Sequence, residues 1–172
     1  GCLVQGRRYT EKKGVVEDKG AFDGLGKAPW KDSKRAAQSA VGKLSILDNK
    51  LDDASAAFDA VIATKAENPQ EESQRQAAML GKVKILIAQK KYPDAVKVLD
   101  EVIEKASPED AHVQAEAYVR QGGCLDAEGK FKDALVAYLH VDVLFPTEKA
   151  MHAEALFHLS RLWAKVGQPA RS

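Results

Sequence analysis

A chain of 172 residues is long enough for one domain with a continuous core, and its balance of 45% hydrophobic to 30% charged residues fits a globular protein rather than a disordered one. Twenty-six basic residues against 25 acidic ones leave a net charge of +1, which excludes the electrostatic footprint of a general nucleic-acid binder. No run approaches the roughly 18 apolar residues that span a bilayer, and the two cysteines, Cys2 and Cys124, can build neither a disulfide framework nor a four-cysteine metal site.

Residues 1–31 read as an irregular, glycine-rich N-terminal arm. Gly1, Gly6, Gly14, Gly20, Gly24 and Gly26 fall here and no helical period is sustained. The stretch to residue 35 is locally basic, with Arg7, Arg8, Lys12, Lys13, Lys19, Lys27, Lys31, Lys34 and Arg35, and is read as a solvated terminal segment, the alternative being an arm that touches an acidic partner. Trp30 is placed to staple the start of the helices that follow. The Gly1-Cys2 start leaves two readings, the tail of a bacterial lipoprotein cleavage site or an ordinary chain boundary, and the compartment stays undecided.

From residue 32 to 172 the periodicity predicts a helical-repeat domain, with helices near 33–48, 51–67, 71–90, 93–106, 109–128, 131–144 and 148–166. Ala95, Val98, Leu99, Val102 and Ile103 follow helical spacing, as do Ala134, Leu135, Tyr138 and Val141. Asn68-Pro69-Gln70-Glu71 supplies an N-cap, a proline at the first helical position and a glutamate at the third, and Ser107-Pro108-Glu109-Asp110 repeats the pattern. Asn49 and Gly129 mark short turns where a left-handed residue ends a helix.

Ala54, Ala95 and Ala134 stand 41 and 39 residues apart, and a further 38 reaches Ser172. Around each alanine a bulky residue lies three before (Leu51, Tyr92, Phe131), a second four after (Phe58, Leu99, Tyr138) and a valine seven after (Val61, Val102, Val141). Such self-similarity marks repeated supersecondary units that bury their apolar faces on one another. Tyr118, Gly122, Leu125, Gly129, Phe131, Ala134, Tyr138 and Pro146 together resemble the tetratricopeptide repeat. The units around Ala54 and Ala95 are degenerate by comparison, with Gln38 and Ser45, and with Val83 and Lys90, at positions that depart from the pattern. The last unit offers Leu156, Ser160, Trp163 and Gly167. The resemblance implies an all-α fold, an α-solenoid of antiparallel helix pairs with about three and a half units over residues 33–172.

No catalytic constellation emerges, because the phosphate-cradling glycine loop, the nucleophile elbow and the two-histidine zinc helix are all missing from the sequence. His152 and His158, six apart on one predicted helix, lie on different faces. Glu71-Glu72, Asp52-Asp53 and Glu109-Asp110 sit at helix starts, where negative charge complements the helix dipole. No metal or cofactor is expected, and Trp163 occupies a position of core packing.

The resemblance also implies a groove lined by the first helix of each pair, with Lys43, Lys84, Gly123 and Arg161 along it and Ser39, Leu80, Val119 and Phe157 one turn earlier. A basic stripe beside an apolar one suits an acidic, partly hydrophobic protein or peptide. The reading is therefore a non-catalytic protein–protein interaction scaffold; the alternative is a structural or assembly segment of a larger bacterial secreted or envelope protein. Leu156, Leu159 and Trp163 form the expected packing face of the last helix. They would be covered by further repeats, by a second copy in a homodimer through this helix, or in part by the preceding pair.

Overall fold

The computed structural model describes residues 31–108 and 110–167, with side chains described from Arg35 onward. Seven helices follow in order: α1 (Lys31–Leu47), α2 (Leu51–Ile62), α3 (Pro69–Ala88), α4 (Tyr92–Lys105), α5 (Ala111–Ala127), α6 (Phe131–Leu144) and α7 (Lys149–Lys165). No strand occurs among the described residues, so the fold class is all-α and of the helical-repeat kind. Trp30 and the rest of the expected arm lie outside the described residues, except for Lys31, the first residue of α1.

The turns that join first to second helices share one backbone device. Asn49 (φ 58°), Lys90 (φ 58°) and Gly129 (φ 76°) are left-handed, five residues before Ala54, Ala95 and Ala134, and Gly167 (φ 81°) closes α7. At each of the first three the following amide reaches back to close the helix: Lys50 N–H to Ser45 O at 2.8 Å, Lys91 N–H to Leu86 O at 2.8 Å, Lys130 N–H to Leu125 O at 2.9 Å. This six-to-one bond with its companion from the left-handed residue is the Schellman motif, which satisfies helix-end carbonyls and stops the helix.

By internal contacts the chain divides into two compact units, Gly1–Ile85 and Leu86–Ser172. In the first, α1 packs on α2, and Ala54, Phe58 and Val61 of α2 bury against Ala78 and Ile85 of α3. Phe58 fits because Gly42 and Gly81 leave room for its ring: a β-carbon added at either would lie within 3 Å of it. Arg35, counted from sequence within the solvated basic stretch, is instead buried in an ion pair with Glu71 at 2.6 Å, and both side chains are under a tenth exposed. A guanidinium is tolerated there because a carboxylate neutralises it and a backbone carbonyl accepts from it. Its Nη2 donates to Lys65 O at 2.8 Å, while Glu71 also accepts the Glu67 N–H at 2.7 Å.

The second unit packs α4 on α5, α5 on α6 and α6 on α7, with α5 also touching α7. Its core runs through Ala115, Val119, Leu125, Ala134, Leu135, Tyr138, Val141, Ala155, Leu159 and Leu162, with Trp163 packed at its edge. Ala54, Ala95 and Ala134 are all completely buried, so the repeat alanines do mark close packing.

Helix ends fall within about two residues of the sequence reading except that of α2, and two of the differences have a visible cause. Helix α2 stops at Ile62 rather than near 67, because the freed carbonyls find side-chain donors: Arg75 Nε donates to Ile62 O at 3.1 Å and Arg35 to Lys65 O. Helix α5 begins at Ala111 rather than 109, because Asp110 and not Ser107 acts as the cap, accepting the Val113 N–H at 3.4 Å. At α3 the expected cap is present, with Asn68 Oδ1 accepting the Glu71 N–H at 2.9 Å and Pro69 opening the helix.

Candidate partner-binding site

The groove positions expected from the repeat resemblance fall two by two on the helices of each unit. In the first unit, Ser39 and Lys43 lie on α1 and Leu80 and Lys84 on α3. Lys43 and Lys84 are exposed and Ser39 is half-buried, whereas Leu80 is only 6% exposed. In the second unit, Val119 is 3% exposed, Gly123 is half-buried, and Phe157 and Arg161 on α7 stand in solvent. Leu80 and Val119 thus face the interior, and of the apolar positions expected along the groove Phe157 is the exposed one. The reason is local. Each of these first helices has apolar residues on more than one side, Met79, Leu80 and Val83 on α3 for example, all of them buried.

Phe157 is 59% exposed and its neighbour Leu156 46%. The guanidinium of Arg161, one turn on, lies over the Phe157 ring with its carbon 5.6 Å from the ring centroid, a cation–π geometry that holds the arginine along the helix face. His158 turns inward and stacks on Tyr138, ring centroids 4.8 Å apart and planes 2° from parallel. Tyr138 in turn lies against Gly122 of α5. The exposed pair on α7 is therefore carried by a helix whose inner side is fixed by stacked rings and by Leu159 and Leu162 in the core. Leu159, expected on the uncovered face, is covered by the preceding pair; Leu156 remains open and Trp163 is half-buried.

The titratable groups nearby are engaged structurally. Burial pushes the Cys124 thiol up to about 11, with the Glu128 carboxylate adding to the effect and Arg120 opposing it. Burial, then the charges of Asp126, Glu154 and Cys124, raise the Tyr138 phenol well above its ordinary value against the pull of Arg120. Neither is poised as a nucleophile or base near neutral pH. His152 pairs with Asp142 at 2.7 Å and His112 with Glu148 at 3.0 Å. No three histidine, cysteine or acidic side chains converge on a common point among the described residues.

A shallow depression beside the α5–α6 turn is lined by Gly129, Lys130, Phe131, Lys132, Lys165 and Gly167. Two of its lysines are already paired, Lys130 with Glu128 at 3.2 Å and Lys165 with Asp126 at 2.7 Å. Lys165 also lies over the Phe131 ring, 4.6 Å from its centroid. These contacts tie the ends of α5, α6 and α7 together.

No helix among the described residues is long and apolar enough to cross a membrane. No protein-family model matches the sequence, and no curated protein matches it. Among solved structures, the chain is similar to RapI in its apo form, with a TM-score of 0.82 at 16% identity over 96% of this chain. The match spans 62% of the RapI chain. At that identity the likeness establishes a shared helical-repeat fold.

Proposed function

We propose that this chain is a non-catalytic protein–protein interaction scaffold built from degenerate tetratricopeptide-like repeats. The observation that carries the reading is the pair Phe157–Arg161: a large aromatic ring and a cation held together in solvent on a helix whose other side is locked into the core. Exposed aromatic and arginine side chains on a rigid support are the residue types that dominate protein-binding energy. In the first unit the exposed Lys43 and Lys84 supply positive charge on the first helices, which suits an acidic protein or peptide. His112 and His152 are held in ion pairs and Cys124 and Tyr138 are buried with their protons retained, which gives catalysis no supporting feature.

A second reading, a structural or assembly segment of a larger secreted or envelope protein, is supported by the self-complementary charge pattern of the exposed α7 face. In that reading the repeats contact fixed neighbours, including a second copy.

Affinity capture from the source cells with the purified chain tests the scaffold reading, with Lys43→Glu/Lys84→Glu and Arg161→Glu variants of unchanged helical circular dichroism as controls. A protein recovered by the wild type and depleted with either variant supports binding through the first helices. Equal recovery by all three contradicts it.

A further inference from the structure

The outward face of α7 has a pattern that repeats when the helix is turned end for end about Phe157. Ala150 and Ala164 lie seven residues before and after it, Glu154 lies three before, and Arg161 lies four after. Residues seven apart are two turns apart and share a face, so Ala150, Glu154, Phe157, Arg161 and Ala164 form one stripe. All five are exposed. Neither Glu154 nor Arg161 makes an ion pair among the described residues; Arg161 overlies the Phe157 ring.

We propose that a second copy of this chain docks on this face, with the two α7 helices antiparallel about a two-fold axis at Phe157. The inference deepens the interaction reading above by naming the partner of the α7 surface. A two-fold interface must be self-complementary, since each patch meets its own image. Antiparallel pairing about Phe157 meets that condition. The two phenyl rings come together at the axis, Ala150 of each copy faces Ala164 of the other, and Glu154 of each faces Arg161 of the other. The alanines let the backbones approach, the rings supply apolar burial, and the two charge pairs flank them. Parallel pairing would instead set Glu154 against Glu154 and Arg161 against Arg161, which like-charge repulsion disfavours. A single helix face is at the small end of interface sizes, so a weak, reversible association is expected.

Sedimentation equilibrium of the full chain over a concentration series tests the proposal through charge exchange. Wild type is expected to dimerise reversibly. Glu154→Arg alone and Arg161→Glu alone place like charges together at both flanks, and each is expected to weaken the dimer at least about tenfold. Mixing the two single variants re-creates both opposite-charge contacts in a heterodimer, and association is expected to return to near the wild-type level. Phe157→Ala, with unchanged helical content, is expected to be monomeric over the same range. A wild type that stays monomeric at every concentration, single variants that dimerise as wild type does, or a mixture that gains nothing would each overturn the proposal. Capture of other proteins, scored on the same preparations, judges the scaffold reading separately, because a monomer that still retains a partner through Lys43 and Lys84 leaves that reading standing.

Discussion

The ring of Tyr138 lies so close to Gly122 that a β-carbon added there would stand 2.7 Å from Tyr138 Cε2 and Cζ, whereas one added at the adjacent Gly123 would be 3.6 Å from the phenol oxygen. Real β-carbons essentially never approach to the first distance, and the second is ordinary contact. Neighbouring glycines on the same helix should therefore respond with opposite sign.

Gly122→Ala gains about 1 kcal/mol of helix propensity but must displace a buried aromatic ring, an overpacking cost of about 1–3 kcal/mol, so a net loss of stability is expected. Gly123→Ala keeps the gain without the clash and should stabilise by up to about 1 kcal/mol. Urea midpoints of the two variants check this. Two shifts of the same sign would mean that the helices do not cross where Tyr138 places them.

Lys90 holds the left-handed position that glycine takes in the α5–α6 turn. A side chain costs about 1 kcal/mol or more in that region, partly offset by the greater chain entropy glycine has to lose. Lys90→Gly should raise the melting temperature by a few degrees, and Gly129→Ala should lower it. A destabilised Lys90→Gly would show that the lysine side chain contributes more than its backbone strain removes.

Removing Glu71 leaves the buried guanidinium of Arg35 without its counter-charge and the Glu67 N–H without its acceptor. Glu71→Ala is expected to destabilise by about 3–5 kcal/mol. Replacing both charges, as Arg35→Met/Glu71→Leu, should cost markedly less than the single change. Thermal melts of the single and double variants separate the two outcomes.

Cys124 and Tyr138 both hold their protons to higher pH in the folded chain than they do when exposed. From pH 9, where the unfolded thiol ionises, to about 11, where the folded one does, the unfolded chain binds fewer protons. Stability should therefore fall across this window, and Tyr138 extends the fall further into alkali. Cys124→Ala should flatten the Cys124 part of the slope in a pH series of urea titrations. An unchanged slope would show that the thiol is not desolvated in the folded state.

Much of the fold was legible in the sequence because repetition supplies its own check. The alanines at 54, 95 and 134 recur in register with bulky residues on both sides, and all three are buried. The turn at Lys90 was less legible, since lysine carries no left-handed preference and only its place five residues before Ala95 betrays it. Arg35 was misread because a charge beside a basic, glycine-rich stretch resembles solvated sequence; its partner lies 36 residues away on another helix. The candidate surface was legible only in part. Leu156, Phe157, Leu159, Leu162 and Trp163 put apolar groups on most sides of α7, so periodicity alone cannot choose which of them meets the core. The exposed face, with Glu154 and the alanines around Phe157, becomes evident only once Leu159 and Leu162 are seen buried against the preceding pair.

Site-specific photo-crosslinking in the source cells tests most directly whether the first helices bind protein. A photoreactive aromatic residue replaces Lys43 or Phe157 in turn, with Lys132 on the exposed side of the second helix α6 as the control position. The account expects discrete covalent adducts with protein from positions 43 and 157 and none from 132, with an adduct of twice the chain mass at 157 where two copies meet. Adducts of equal yield from all three positions, or from 132 alone, would contradict it.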